Sequence, residues 1–271
     1  MTAAPARRVA IVTGAGRGIG AATVVAFVDA GWCVLATDVG REDPALDYPM
    51  AAPADLDAVV AAARERADSP DQVAGMLADV RDVDALAGAV VDAERRWGGL
   101  DAAVAAAGVI AGGAPMWEVA PAAEQAVLEV VLGGVLNLAR VSVPAMLRRP
   151  APRHGRFLAV ASAAATKGLP MLAAYCAAKA GVTGMIRALA VELGPEGITA
   201  NAVSPGSTGT SMLDETARLY RLAAARDFAV QQPARRLLAP AEIAAALVFL
   251  AAEGSGGITG AVVPVDGGLS L

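Results

Sequence analysis

The stretch Val9-Ala-Ile-Val-Thr-Gly-Ala-Gly-Arg-Gly-Ile-Gly20 decides the fold of this chain. Its first four residues form a short apolar run that is typical of a buried parallel strand. Glycines then allow a tight turn, and residues 21–30 read as a helix that ends at Gly31. A strand, a glycine-rich turn and a helix in this order let the backbone approach a pyrophosphate, whose charge meets the helix N-terminus. The stretch therefore predicts a dinucleotide site.

A second apolar run, residues 33–37, ends in Asp38. A carboxylate there can accept hydrogen bonds from both adenosine ribose hydroxyls and repel a 2′-phosphate, so it favours NAD over NADP. An aspartate in a solvated turn would give the same pattern. Arg17 favours the opposite conclusion, because a basic residue in the glycine loop can meet a 2′-phosphate. Asp79 and Val80 follow the third predicted strand and are expected to flank the adenine.

Strands alternate with helices along the whole chain, with no repeat and no linker-like break. Strands are predicted at 9–12, 33–37, 75–78, 102–106, 157–162, 198–203 and 262–265. Helices are predicted at 21–30, 55–66, 82–97, 121–147, 172–193, 211–228 and 241–252. This order predicts one α/β domain over residues 1–271, a Rossmann fold with a doubly wound, seven-stranded, mostly parallel sheet and helices on both faces.

Residues that could bind or react with a ligand fall at the predicted strand ends, where open α/β sheets bind their ligands. These residues are Gly14, Asp38, Asp79, Gly108, Ser162 and Pro205. The segment of about residues 207–237 is expected to be a small mobile lid over the substrate.

Composition excludes several classes of protein. The net charge is −5 and no run of Lys or Arg is present, which argues against nucleic acid or an anionic membrane as a partner. The two cysteines, Cys33 and Cys176, are expected to be buried thiols of a soluble cytoplasmic protein. The sole histidine, His154, lies in a polar loop, and no zinc-type spacing exists, so we predict no metal site.

Tyr175 and Lys179 are four residues apart in a predicted helix and share one of its faces. An ammonium beside a phenol favours the phenolate and lowers the tyrosine pKa, so that Tyr175 could exchange a proton near neutral pH. Ser162 ends the preceding strand and could hold a substrate oxygen beside it. Such a pair also arises by chance in many proteins. The chain has only two lysines, however, and a cofactor motif at its N-terminus.

Together these residues resemble the short-chain dehydrogenase/reductase family. The match covers nearly the whole chain and rests on residues 13–20, Asp79-Val80, Ser162, Tyr175-x-x-x-Lys179, Asn201-x-x-x-Pro205-Gly206 and Thr259-Gly260…Asp266-Gly267-Gly268. The resemblance implies hydride transfer between a nicotinamide and an alcohol or carbonyl carbon. It implies that Tyr175 is the acid/base, that Ser162 orients the carbonyl, and that Lys179 binds the nicotinamide ribose.

By the same resemblance, Pro205-Gly206 with Thr208 and Thr210 would position the carboxamide. The full set of expected NAD-binding residues is Gly14, Gly16, Arg17, Gly18, Ile19, Gly20, Asp38, Val39, Asp79, Val80, Ala106, Ala107, Gly108, Tyr175, Lys179, Pro205, Gly206, Thr208 and Thr210.

The long connection after Asp38 looks like the insertion of the mycofactocin-dependent branch of this family. The similar residues are Asp43-Pro44…Asp47-Tyr48-Pro49-Met50…Pro53-Ala54-Asp55-Leu56, with Pro152-Arg-His-Gly-Arg-Phe157 further on. That resemblance implies tightly retained NAD and mycofactocin as the electron carrier. The alternatives are a free-NAD(P)H ketoacyl or ketone reductase and a non-catalytic NAD-binding regulatory module.

Two departures from the family pattern stand out. Ala105-Ala-Ala-Gly108 replaces the usual Asn-Asn-Ala-Gly, so the asparagine side chains that would hold that turn are expected to be lost. Val131 occupies the place of an asparagine that normally helps hold a water in the proton relay.

The substrate is expected to be a hydrophobic secondary alcohol or carbonyl, cyclic or terpene-like by resemblance. Its pocket is predicted from Ile110, Ala163, Leu169, Met171, Met212, Leu213 and Tyr220. By the same analogy the protein would be a homotetramer or homodimer that pairs helices 121–147 and 172–193.

Overall fold

In a computed structural model that describes residues 7–271, seven strands form one sheet in the order β3-β2-β1-β4-β5-β6-β7. All six strand pairings are parallel. The predicted Rossmann fold and seven-stranded sheet are confirmed. The strands are β1 (Val9–Thr13), β2 (Cys33–Asp38), β3 (Val73–Leu77), β4 (Ala102–Ala105), β5 (Gly155–Val160), β6 (Ile198–Pro205) and β7 (Val262–Val265).

Eight α-helices connect these strands and cover both faces of the sheet. Their bounds are α1 (Gly18–Asp29), α2 (Pro53–Arg64), α3 (Val83–Trp97), α4 (Pro121–Leu128), α5 (Gly134–Leu147), α6 (Ala173–Leu193), α7 (Ser211–Leu219) and α8 (Pro240–Ala251). The sheet separates two apolar cores. One core packs α1, α2 and α8 against the sheet, and the other packs α3, α4, α5 and α6 against the opposite face.

The strand order reverses between β1 and β4. From β1 the chain moves outward through β2 and β3, and it then returns to build β4 to β7 on the other side. Crossovers on the two sides leave in opposite directions, which opens a crevice at the carboxyl ends of the strands. The crevice places the ends of β1, β2, β4 and β5 around one space.

The predicted helix over 121–147 is continuous but contains a π-helical turn at Glu129–Gly133. By length and mean hydropathy it is the one helix within residues 7–271 that reaches the size of a membrane span. In this fold it packs against α3, α6, β4 and β5.

The predicted helix over 211–228 is wrong beyond Leu219. Arg221 has a positive φ of 55°, and the Leu222 N–H bonds to the Ala217 carbonyl, which together terminate α7. A separate 3₁₀ segment follows at Ala225–Gln231. The sequence pattern missed this ending because no glycine marks it.

Candidate active site

The glycine loop brings β1 close to the turn after β4. Gly14 has φ 65°, and a Cβ on it would lie 2.5 Å from the Ala107 Cα. A Cβ on Gly20 would collide with the Gly14 carbonyl oxygen. These two glycines therefore permit the close backbone approach that a pyrophosphate site needs. Helix α1 begins at Gly18 and aims its free N–H groups into the same crevice.

Asp38 ends β2 and faces the glycine loop. One carboxylate oxygen accepts the Gly16 N–H at 2.7 Å, and the other accepts the Val39 N–H at 2.7 Å. Burial raises the pKa of Asp38, and these two backbone hydrogen bonds act in the opposite direction. The carboxylate thus lies where it would repel a 2′-phosphate.

The side-chain contacts of Arg17 are with residues other than Asp38. Its guanidinium forms a salt bridge with Asp55 at 2.8 Å and donates to the carbonyl oxygens of Pro49 and Met50. The positive charge of Arg17 is therefore engaged by a carboxylate of α2. This geometry removes the argument that Arg17 serves a 2′-phosphate.

Residues 40–52, called here the 40–52 loop, connect β2 to α2 and lie over the adenosine end of the crevice. Asp43 of this loop forms a salt bridge with Arg81 at 2.6 Å, and Arg81 also binds Asp79 at 2.8 Å. Although burial alone would raise it, hydrogen bonds from Arg81 and Arg41 hold the pKa of Asp79 well below its usual range. The loop is thereby fixed to the residues that follow β3.

The 40–52 loop also packs on the glycine loop. A Cβ on Gly16 would lie 2.9 Å from the Cβ of Ala51. Gly16 is consequently covered and, unlike the other predicted NAD-binding residues, does not line the cavity. The predicted role of Gly16 in binding NAD stays a prediction, and its N–H donates to Asp38 at 2.7 Å.

Ser162, Tyr175 and Lys179 meet at the end of β5. Tyr175 and Lys179 are both buried on one face of α6. Ser162 is close enough to the Tyr175 phenol to lower its pKa through a side-chain hydrogen bond. The Lys179 ammonium donates to the Val160 carbonyl at 2.6 Å. The structure thus brings together the three side chains that the sequence predicted to meet.

The expected lowering of the tyrosine pKa by Lys179 is not what this geometry gives. Burial raises the pKa of Tyr175 to about 12, and only the Ser162 hydrogen bond opposes it. Burial also lowers the pKa of Lys179 to about 8. The Lys179 ammonium lies 5.7 Å from the centre of the Tyr175 ring, and it donates its hydrogen bond to the Val160 carbonyl.

The turn after β4 is held from β1. The Thr13 hydroxyl accepts the N–H groups of Ala106 and Ala107 at 3.3 and 3.4 Å. The missing asparagines of this turn are thus replaced by a threonine of the neighbouring strand. Sequence reasoning had not identified Thr13 as a residue that positions the turn.

The turn after β6 is fixed by a buried glutamine. The Gln232 amide oxygen accepts the Ser207 N–H at 2.7 Å, and its amide nitrogen donates to the Ser207 and Arg236 carbonyls. Thr210 then caps α7 by accepting the Leu213 N–H at 3.3 Å. This network sets the position of Pro205-Gly206 at the cavity.

One cavity of about 600 Å³ runs from Asp38 to Tyr175 and on to Leu269, near the C-terminus. Of the predicted substrate residues, Met171 alone does not line it. Met171 has a positive φ of 61°, and its carbonyl oxygen accepts the Gly113 N–H, so it shapes the adjoining loop instead. The substrate residues that do line the cavity are Ile110, Ala163, Leu169, Met212, Leu213 and Tyr220.

Tyr48 also lines this cavity. Sequence reasoning placed Tyr48 in the long loop but did not identify it as a residue of the substrate site. His154 lies away from the cavity, exposed and 3.9 Å from Glu253. Within residues 7–271, no group of three His, Cys, Asp or Glu side chains is placed to hold a metal ion.

A glycine-rich turn, a carboxylate at the end of β2 and a serine–tyrosine pair line one cavity on a doubly wound sheet, an arrangement typical of a nicotinamide-dependent oxidoreductase. The family model described as enoyl-(acyl carrier protein) reductase matches residues 14–270. The chain belongs to the short-chain dehydrogenase/reductase family, and the expected resemblance is confirmed.

The chain is similar over nearly its whole length to three named proteins. It is 36% identical to the short-chain reductase protein NovJ of Streptomyces niveus, over 96% of this chain and 93% of the relative. It is 34% identical to cis-4-hydroxycyclohexanecarboxylate dehydrogenase of Sinomonas cyclohexanicum, over 97% and 96%. The crystal structure of carveol dehydrogenase from Mycobacterium avium in complex with NAD superposes with a TM-score of 0.90, at 32% identity over 98% of each chain.

This protein is accordingly an NAD-dependent oxidoreductase that acts on alcohols and carbonyls. The predictions of an enzyme and of NAD as cofactor are confirmed.

Proposed function

We propose that the protein oxidises a hydrophobic secondary alcohol, or reduces the matching ketone, with Tyr175 as acid/base. The single observation that carries this proposal is that Ser162, Tyr175 and Lys179 line the same cavity as the glycine loop. Ser162 holds the substrate oxygen, and Tyr175 takes or returns its proton. NAD, when bound, accepts or supplies the hydride.

Lys179 would hold the nicotinamide ribose and support the phenolate. Its ammonium is buried beside Gly108 and has one protein acceptor, the Val160 carbonyl. An ammonium has three donors, so two remain for the ribose hydroxyls and for Tyr175. The residues after β6, Pro205-Gly206 with Thr208 and Thr210, would hold the carboxamide.

The 40–52 loop supports the further proposal that NAD is tightly retained. The loop is fixed at one end by Arg81 through Asp43 and at the other by Arg17 through Pro49 and Met50. These contacts lie over the adenosine end of the cavity, on the path by which a nucleotide would leave. Release of NAD would require several of them to break together.

Retained NAD needs an external partner to restore it after each turnover. We propose mycofactocin as that electron carrier, in line with the loop resemblance. The support is the 40–52 loop itself together with the similarity to the NAD-bound carveol dehydrogenase.

The substrate end of the cavity favours an apolar molecule. Ile110, Leu169, Leu172, Met212 and Phe228 line it. Two similar proteins are named for cyclic alcohols, carveol and cis-4-hydroxycyclohexanecarboxylate. A cyclic secondary alcohol fits both observations.

The second candidate is a free-NAD(P)H ketoacyl or ketone reductase. The similarity to the 3-oxoacyl-[acyl-carrier-protein] reductase of Thermotoga maritima, 33% identical over 97% of this chain, favours it. The two candidates share the proton chemistry and differ in whether the nucleotide exchanges.

We also propose that residues 207–237 act as a substrate lid within the single domain 1–271. Helix α7 and the 3₁₀ segment at Ala225–Gln231 both contribute to the cavity wall. We further propose that the protein is a homotetramer or homodimer located in the cytoplasm.

The test of the catalytic assignment is Tyr175→Phe. The variant is expected to keep its NAD and to lose alcohol oxidation by about 10²–10⁴-fold, the range that a positioned acid/base typically contributes. Tyr220→Phe is the matched control, because Tyr220 also lines the cavity but donates to the Pro170 carbonyl at 2.7 Å. Equal activity in the two variants would contradict the assignment.

A further inference from the structure

Tyr48 lies in the same cavity as the predicted acid/base but has no part in the proposed mechanism. It belongs to the 40–52 loop, and its hydroxyl reaches the residues after β4, where it accepts the Ile110 N–H at 3.0 Å. An ionised Tyr175 would raise the pKa of Tyr48, so the two phenols lie near each other. A residue of the cofactor-covering loop thus enters the substrate space.

The hydroxyl proton of Tyr48 has no acceptor among residues 7–271, although its oxygen accepts from Ile110. The neighbouring hydroxyls differ in this respect. Tyr220 donates to the Pro170 carbonyl at 2.7 Å, and Thr216 donates to the Met212 carbonyl at 2.7 Å. The Tyr48 proton is therefore free to be donated to an oxygen of a molecule in the cavity.

The groups around Tyr48 determine which kind of substrate oxygen can accept its hydrogen bond. Burial is the main cause that raises the pKa of Tyr48 to about 12, so the phenol remains a donor. The carboxylates of Glu215 and Asp43 act on it in the same direction. Arg81 and Arg218 are already paired with Asp43 and Glu215, so neither guanidinium is free to bind a substrate carboxylate, whereas the neutral phenol can donate to a hydroxyl or ketone oxygen.

The position of Tyr48 is fixed before any substrate arrives. Asp43 is bound by Arg81 at 2.6 Å, and Glu42 accepts the Met50 N–H at 3.0 Å within the same loop. A donor held by its own scaffold loses little conformational entropy when it binds.

We propose that Tyr48 donates a hydrogen bond to a second, neutral oxygen of the substrate, away from the reacting carbon. The substrate class is then a mostly apolar diol, hydroxyketone or diketone rather than a simple alcohol or a hydroxy acid. This inference rests on the proposed function. It adds a specificity-determining residue to a loop whose other role is to cover the cofactor.

The experiment compares cyclohexanol with cyclohexane-1,4-diol in single-turnover oxidation by NAD-loaded protein, followed by the absorbance of NADH. The wild type is expected to prefer the diol. Tyr48→Phe is expected to lower the ratio of the diol rate to the cyclohexanol rate about tenfold, as the loss of one hydrogen bond predicts. Tyr220→Phe, the same chemical change at a hydroxyl with an acceptor, should leave the ratio unchanged.

A merely structural role of Tyr48, through Ile110, would lower both rates equally and leave the ratio intact, which would overturn the proposal. A wild type that prefers 4-hydroxycyclohexanecarboxylate to the diol would overturn the neutral class.

If the wild type oxidises none of these alcohols, the proposed function fails, and the Tyr48 contact is tested by binding alone. The diol should then raise the melting temperature of the NAD-loaded wild type more than cyclohexanol does. In Tyr48→Phe the two ligands should act equally. Equal shifts in the wild type would overturn the contact.

Discussion

Arg81 and Asp43 form a salt bridge of 2.6 Å that ties the 40–52 loop to the residues after β3. Asp43 is buried and Arg81 is largely so, which shields the pair from solvent. The same guanidinium holds Asp79, the predicted adenine neighbour. The loop that covers the adenosine site and the wall of that site are therefore one connected unit.

Arg81→Met is expected to speed NAD dissociation about tenfold, because it frees one end of the loop at a cost of roughly 1.4 kcal/mol. Dissociation is measured by dilution of loaded protein into excess labelled NAD. Arg96→Met is the control, since Arg96 pairs with Asp92 on the exposed face of α3. Deletion of residues 43–53 should have a larger effect, and an unchanged off-rate in the deletion would disprove the covering role.

Asp38→Ala is expected to weaken NAD binding about 10- to 100-fold, since each hydrogen bond to a carboxylate contributes roughly 1.5–3 kcal/mol. NADP binding should strengthen, because Asp38→Ala removes the carboxylate that repels a 2′-phosphate. Calorimetry with both nucleotides measures the change in preference. Asp57→Ala, on the exposed side of α2, serves as control, and a stronger preference for NAD in Asp38→Ala would refute the assignment.

Alcohol oxidation is expected to rise with pH between pH 6 and 8. Burial raises the pKa of Tyr175 to about 12, so the phenolate needed as base is scarce at neutral pH and grows tenfold with each pH unit. Ketone reduction uses the phenol and should stay level below pH 8. Single-turnover profiles in both directions test this, and a flat oxidation profile would refute it.

Val131→Asn is expected not to lower turnover. Val131 is fully buried at the π-helical turn, where an asparagine occurs in the family pattern. The melting temperature should fall, because a buried amide without partners costs roughly 1–3 kcal/mol. Steady-state kinetics and thermal unfolding measure the two effects separately. A tenfold or greater loss of turnover would show that the position was aligned wrongly.

The strand ends were the predictable part of this site. Gly14, Asp38, Gly108 and Ser162 each follow an apolar run, and parallel strands bring such positions to one edge of a sheet. The helical spacing of Tyr175 and Lys179 likewise required no tertiary information. Local periodicity therefore sufficed for the fold and for the centre of the site.

Contacts between distant segments were not predictable. The bond from Thr13 to the β4 turn and the salt bridge from Arg81 to Asp43 depend on how loops pack after the sheet forms. The raised pKa of Tyr175 was missed for a similar reason, since spacing indicates a neighbouring charge but not the depth of burial. Tyr48 enters the cavity through the path of an irregular loop, which carries no periodic signal.

The central claim is an enzyme that retains its NAD, and the nucleotide content of the purified protein tests it most directly. Protein prepared without added cofactor is dialysed extensively and denatured, and the released nucleotide is quantified by mass spectrometry. The account predicts close to one NAD per chain. Nucleotide-free protein that turns over with added NAD would contradict retention, and recovery of NADP would contradict the assignment of Asp38.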